Sequence, residues 1–95
     1  MLALFVDSES FTSQTALHNL DLALEGTEYK YYTAVLEAKY HTALLTSYKI
    51  YEFPTVLLLD ESSEIIVRET RVRNMTEHVF RQMLQAIHHT VTNPL

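Results

Sequence analysis

The first third of the chain carries an apolar run followed by an apolar pattern of helical spacing. Residues 2–6 are continuously apolar, which is typical of a short strand buried on both faces. Apolar residues between positions 16 and 24 recur at intervals of one, three and four, which predicts a helix. Ser8 or Ser10 is available as its N-cap, and Gly26 stands where a left-handed residue would end it.

The middle of the chain is rich in aromatic residues. Between positions 29 and 33, tyrosine and threonine alternate with other residues at period two, and this pattern predicts a second, less buried strand. Residues 37–47 then favour a short helix, with Tyr40 and Leu44 expected to face inward.

The last part predicts a hairpin and a closing helix. Residues 54–60 give the clearest strand, because proline is tolerated at the start of a strand. A polar turn at 60–63 leads into a fourth strand at 64–72. The segment Asn-Met-Thr-Glu at 74–77 resembles a capping box and precedes an apolar helical stripe. We expect the tail, about residues 90–95, to fray.

The predicted order is therefore β-α-β-α-β-β-α. A right-handed crossover makes the first two strands parallel, and the final hairpin adds antiparallel strands. Strands two and four are expected at the edges, with helices on both faces. We predict one α/β domain spanning residues 1–95, built on a mixed four-stranded sheet.

That order, with a proline opening the third strand, resembles the thioredoxin-like superfamily in its minimal form. The likeness is carried by Ile50, Phe53, Pro54 and Thr55 within Ile-Tyr-Glu-Phe-Pro-Thr, and it extends over nearly the whole chain. It implies a minimal thioredoxin-like fold with a cis Phe53–Pro54 bond. It also implies that the backbone of Phe53 faces the start of the first helix, where the family pairs an extended peptide or glutathione.

The redox motif of that family is absent. Ser10-Phe-Thr-Ser13 occupies the place of Cys-x-x-Cys, and the chain contains no cysteine. Thiol–disulfide exchange needs sulfur, and a serine hydroxyl ionises too weakly without a strong base beside it. Leu4 also stands where the family has a buried acid, and Arg73 where it has a glycine. We therefore predict a redox-inactive member that is not a disulfide oxidoreductase and has no catalytic residues.

Composition and charge restrict the classes of partner that we expect this protein to bind. The net charge of −5 argues against nucleic acid, which favours a basic face. No apolar run approaches the ~20 residues of a membrane span, and the opening residues lack the features of a signal peptide, so we expect a cytoplasmic protein without membrane contact. The five histidines have no zinc-site spacing, and we expect neither metal nor cofactor.

The leading interpretation is a binding module that acts as an adaptor, assembly chaperone or regulator on a protein or peptide partner. A site for glutathione or a small anion, in a transferase-like protein, is one alternative. A structural subunit that forms a homodimer through an edge strand is another. Ser10 and Ser13 also fit a purely structural role as helix caps. The predicted binding residues are Ser10, Phe11, Ser13, Phe53, Pro54 and Arg73.

The six tyrosines allow two interpretations. The first is that they cover the sheet beneath the flanking helices. The second is that some are exposed near the sheet edges and form a partner surface.

Overall fold

The structure, a computed structural model, describes residues 1–92. Within these residues there are four strands and three α-helices, in the order predicted from the sequence, and three short 3-10 turns that were not predicted. The strands are β1 (Leu2–Val6), β2 (Thr33–Glu37), β3 (Thr55–Leu59) and β4 (Ile65–Glu69). The helices are α1 (Phe11–Leu24), α2 (Thr42–Ser47) and α3 (Glu77–Thr92).

The four strands form one mixed sheet in the order β2-β1-β3-β4. β1 runs parallel to β2 and antiparallel to β3, and β4 is antiparallel to β3. The predicted fold class is confirmed: the protein is α/β, with a mixed four-stranded sheet and helices on both faces. This arrangement is compatible with the minimal thioredoxin-like fold.

Each face of the sheet has its own apolar core. On one face, α1 and α3 pack over Leu2, Leu4 and Val6 of β1. On the other face, Ala3 and Phe5 pack with residues near α2 in a smaller cluster. Because side chains alternate across a strand, a strand that feeds two cores must be apolar throughout, which explains the continuous run in β1.

The second strand begins later than the aromatic alternation predicts. Residues Tyr29–Tyr32 form a 3-10 turn, and β2 starts at Thr33. Tyr29 and Tyr32 both lie against His88 of α3, with ring centroids 5.4 and 5.8 Å away. Two side chains three positions apart meet the same ring on a helical turn, whereas in a strand they would point to opposite faces.

The prediction of a helix over 37–47 with two inward-facing residues is also wrong in part. The segment contains a 3-10 turn at Ala38–Tyr40 and the short helix α2. Tyr40 is 74% exposed and Leu44 is 38% exposed. Leu45 packs on the smaller core instead, because a helix of six residues presents only one narrow face to the sheet.

The start of α1 agrees with the sequence. Ser10 is the N-cap, with its Oγ accepting a hydrogen bond from the Ser13 N–H at 3.3 Å. Gly26 follows the end of the helix with φ +70°, the left-handed conformation that glycine adopts without strain.

The start of α3 differs from the predicted capping box. Thr76 caps the helix, since its Oγ1 accepts from the Val79 N–H at 3.1 Å. Asn74 instead donates its side-chain N–H to Glu69. The helix continues to Thr92, and residues 93–95 of the predicted tail lie outside the described residues. None of the helices in the described part of the chain is long and apolar enough to cross a bilayer.

Candidate binding site

The strand pairing brings three loops to one end of the sheet. Phe5, near the end of β1, lies opposite Thr55 at the start of β3. Val56 of β3 lies opposite Glu69 at the end of β4. The loop into α1, the loop before β3 and the turn after β4 therefore leave the sheet at the same end. We call this end the rim, and it comprises residues 10–13, 51–54 and 69–74.

Ser10 and Ser13, which the resemblance aligns with the two cysteines of the redox motif, have different surroundings. Ser10 is partly exposed, and its Oγ lies 2.9 Å from the Thr12 hydroxyl as well as capping the helix. Ser13 is 1% exposed, and its Oγ accepts a hydrogen bond from the Asp7 N–H at 3.0 Å. Ser13 therefore fastens the β1–α1 loop, and only Ser10 lies within reach of a ligand.

The first turn of α1 presents unused contact groups. The Phe11 side chain is 80% exposed. The first backbone hydrogen bond of the helix is donated by the Gln14 N–H to the carbonyl of the N-cap residue Ser10, at 3.1 Å. Within residues 1–92 the N–H groups of Phe11 and Thr12 have no acceptor, as expected for the first turn of a helix. The helix start thus offers an aromatic ring and two backbone donors.

The proline loop presents a backbone edge. The Phe53–Pro54 bond is cis, the geometry that the resemblance implies. Pro54 is buried, the Phe53 ring packs on the smaller core, and the Thr55 hydroxyl donates to the Glu52 carbonyl at 2.7 Å. The N–H and C=O of Phe53 make no hydrogen bond within the part of the chain that the structure describes. These contacts therefore hold the loop in place, while the N–H and C=O of Phe53 remain unpaired within the described residues.

The turn after β4 is organised by one carboxylate. Glu69 accepts hydrogen bonds from the N–H groups of Thr70 and Arg71, each at 3.0 Å, and from the Asn74 side chain at 2.8 Å. The pKa of Glu69 is lowered, chiefly by the hydrogen bond from the Arg71 N–H. The hydrogen bonds from Asn74 and Thr70 and the charge of Arg71 also lower it, and partial burial opposes them. These bonds end β4 at Glu69, earlier than the predicted residue 72.

Arg73 is positioned by that turn. It lies in the 3-10 turn Val72–Asn74, which packs against α1. The Asn19 side chain of α1 also donates to the Met75 carbonyl at 3.0 Å, which ties the turn to the helix. Arg73 itself is exposed and forms no hydrogen bond or ion pair among residues 1–92, so its charge is available to a partner.

The opposite side of the rim is acidic. The Glu37 carboxylate accepts the Ser8 N–H with both oxygens at 3.1 Å, which joins the end of β2 to the β1–α1 loop. A cavity of about 340 Å³ lies there, lined by Asp7, Ser8, Glu9, Glu37, Ala38 and Lys39. Negative charge therefore lies on the β2 side of the α1 start and positive charge on the β4 side. In residues 1–92, no three His, Asp or Glu side chains converge in a way that would hold a metal ion.

Two residues of the rim were missed by sequence reasoning. Tyr51 is 82% exposed in the proline loop, two positions before Phe53. Its place in that loop is a usable signal, but the sequence left open whether the six tyrosines cover the sheet or form a partner surface near its edges. Tyr29, Tyr32 and Tyr48 do pack against the cores, whereas Tyr31, Tyr40 and Tyr51 are exposed. The supporting role of Glu69 left no signal in the sequence pattern, because the donors of Thr70, Arg71 and Asn74 converge on its carboxylate only when the turn is folded.

Comparison with known proteins adds information on the fold. Neither a protein-family model nor a curated protein matches the chain. Among solved structures, one described as the structure of a malarial protein superposes with a TM-score of 0.68. The match covers 90% of this chain and 93% of that one, at 11% sequence identity. At that identity the likeness shows a shared fold alone.

Proposed function

We propose that this protein is a redox-inactive thioredoxin-like binding module, which holds an extended segment of a partner protein against the rim. In this proposal the partner backbone pairs with the N–H and C=O of Phe53. The exposed rings of Phe11 and Tyr51 contact its apolar side chains, and Arg73 contacts an acidic group. Such a module acts as an adaptor, assembly chaperone or regulator.

The observation that carries the proposal is the unpaired backbone of Phe53. A fixed, open backbone edge is the feature that extended peptides use when they add to a sheet or loop. Burial of Pro54 and the Thr55 hydrogen bond already fix the conformation of this loop. Little conformational entropy is therefore lost when a partner binds to it. Exposed aromatic rings such as Phe11 and Tyr51, which belong to the same end of the sheet, are enriched in protein interfaces.

Binding of glutathione or a small anion is the second candidate. It is favoured by the free N–H groups of Phe11 and Thr12 together with the unpaired charge of Arg73. A titration with millimolar glutathione tests it directly. Chemical-shift changes at these residues that are lost in Arg73→Ala would support it, and their absence would remove it.

The peptide proposal is tested with a ligand selected against the protein. Linear ten-residue peptides are selected from a display library, and the strongest binder is titrated into the ¹⁵N-labelled protein. We expect the chemical-shift changes to concentrate at 10–13, 51–53 and 70–74. We also expect Phe11→Ser and Arg73→Ala each to raise the Kd at least about tenfold.

Tyr31→Ser is the matched control. Tyr31 is 72% exposed, like Phe11, but it precedes β2 at the opposite end of the sheet, where Leu2 pairs with Thr33. This variant should bind the selected peptide like the wild type. Shift changes centred away from the rim, or an affinity equally reduced by the control, would contradict the proposal.

A further inference from the structure

The side of the rim next to β4 carries unpaired positive charge. Arg73 lies in the 3-10 turn after β4, and Arg71 immediately precedes that turn. Both side chains are exposed, and neither guanidinium forms an ion pair within residues 1–92. A guanidinium binds a carboxylate through two parallel N–H groups, so this side of the rim favours an acidic group of a partner.

The cavity on the other side of the rim carries an excess of negative charge. Asp7, Glu9 and Glu37 line it together with a single cation, Lys39. The Lys39 Nζ lies 5.2 Å from the centroid of the Tyr40 ring. None of the three carboxylates forms an ion pair within the described residues, and the Glu9 side chain is exposed. This side therefore favours a basic group of a partner.

The unpaired backbone of Phe53 lies between these two charged regions. The sheet order is β2-β1-β3-β4, with Glu37 at the end of β2, Thr55 at the start of β3 and Glu69 at the end of β4. The strand registers bring these three residues to the same end of the sheet. A segment that pairs with Phe53 and crosses the strand ends therefore meets negative charge towards β2 and positive charge towards β4.

Strand spacing sets the distance between the two charges of such a segment. Neighbouring strands lie about 4.8 Å apart, so β2 and β4 are separated by about 14 Å. An extended chain advances about 3.3 Å per residue and covers that distance in about four residues. Side chains four positions apart point to the same side of an extended chain, so both charged groups can face the protein at once.

We propose that the rim selects a partner segment carrying one acidic and one basic residue about four positions apart. The acidic residue contacts Arg73, and the basic residue enters the cavity beside Glu9. The inference rests on the proposed function, because it specifies the chemistry of the segment that pairs with Phe53. A segment with two acidic or two basic residues at these positions places one like charge against the protein, which disfavours its binding.

The charge pattern is tested first on peptides selected from the ten-residue display library. Binders of the wild type should be enriched in one acidic and one basic residue about three to five positions apart. The strongest binder is then compared with two versions of itself by calorimetric titration. One version has its acidic residue replaced by lysine, and the other has its basic residue replaced by glutamate. Each replacement should raise the Kd for the wild type at least about fivefold.

Charge reversal in the protein assigns each end of the peptide to its contact. Arg73→Glu should bind the selected peptide at least about tenfold more weakly than the wild type does. The version with two basic residues should restore its affinity to within about threefold, and the version with two acidic residues should not. Glu9→Lys should behave in the opposite way, with rescue by the version with two acidic residues only.

Two variants at the other end of the sheet control for net charge. Glu28→Lys and Lys30→Glu make the same charge changes at exposed residues that precede β2. Both should bind the selected peptide within about twofold of the wild type. Thermal unfolding establishes that all four variants are folded.

The outcomes separate this inference from the proposed function. Equal affinity of the wild type for all three peptides, with shift changes still at the rim, overturns the charge pattern and leaves the proposed function in place. Rescue that fails in folded Arg73→Glu and Glu9→Lys also overturns it. Shift changes centred away from the rim contradict the proposed function itself.

Discussion

The rim has an inner layer and an outer layer that differ in what their side chains do. In the inner layer, Ser13 is buried and Glu69 is partly buried, and both accept hydrogen bonds from the backbone. In the outer layer, Phe11, Tyr51 and Arg73 are exposed and meet mostly solvent. The comparison indicates that the stability of the fold and the recognition of a partner depend on different side chains. Substitutions should therefore change one without the other.

Loss of the Glu69 carboxylate should give the largest effect on stability. Glu69→Ala removes the acceptor of three hydrogen bonds, and we expect the free energy of unfolding to fall by roughly 2–3 kcal/mol at neutral pH. Urea denaturation measures this change.

The same residue predicts a pH dependence. The pKa of Glu69 is lower in the folded protein than its ordinary value of 4.5, so the unfolded state binds more protons between these two pKa values. Its contribution is present in full above pH about 4.5 and is lost as the pH falls through the folded pKa. The stability difference between the wild type and Glu69→Ala should therefore shrink in acid. A difference that stays constant from neutral pH down to pH about 2 would contradict this account.

The next largest effects on stability are expected at the two serines of the rim, and they should differ in size. Ser13→Ala leaves the Asp7 N–H without its acceptor in a part-buried loop, and we expect a loss of about 2 kcal/mol. Ser10→Ala removes an N-cap and an exposed contact with the Thr12 hydroxyl, and we expect a loss of about 1 kcal/mol. Thermal unfolding of both variants gives the order, with Ser47→Ala at the exposed end of α2 as a control that should change little. An equal loss for Ser10 and Ser13 would show that burial does not distinguish them.

The outer layer should give the smallest effect on stability. Phe11→Ser exchanges an 80% exposed ring for a small polar group, and we expect the free energy of unfolding to change by less than about 0.5 kcal/mol. The same variant should lose affinity for the selected peptide. A clear loss of stability in Phe11→Ser would mean that the two layers are not separate.

Local patterns in the sequence were reliable where one residue type has one structural use. The continuous apolar run gave β1, and the start of β3 follows Pro54, which no strand interior accommodates. The Ser10 cap and the left-handed Gly26 were correct for the same reason. These features depend on interactions within a few residues of the chain.

Patterns that serve two structures were misleading. Alternating tyrosines at 29–33 suit a strand, yet contact with His88 selects a 3-10 turn. Asn74 and Thr76 are both residue types that cap helices. Thr76 caps α3, because the Asn74 side chain donates to Glu69 instead. In each case a residue distant in sequence or in another element decided between two locally acceptable conformations.

By itself, the sequence determined the α/β order and the absence of thiol chemistry, since both follow from residue type and spacing. Only the tertiary structure decided that Ser13 is buried while Ser10 is accessible, that Tyr51 faces solvent, and that Glu69 holds the turn beside Arg73. Burial and hydrogen-bond partners are properties of the space between elements. Burial arises when elements far apart in the chain pack together. The hydrogen bonds of Ser13 and Glu69 have partners within six residues, but they form only in the folded loops, and no apolar or polar periodicity records that geometry.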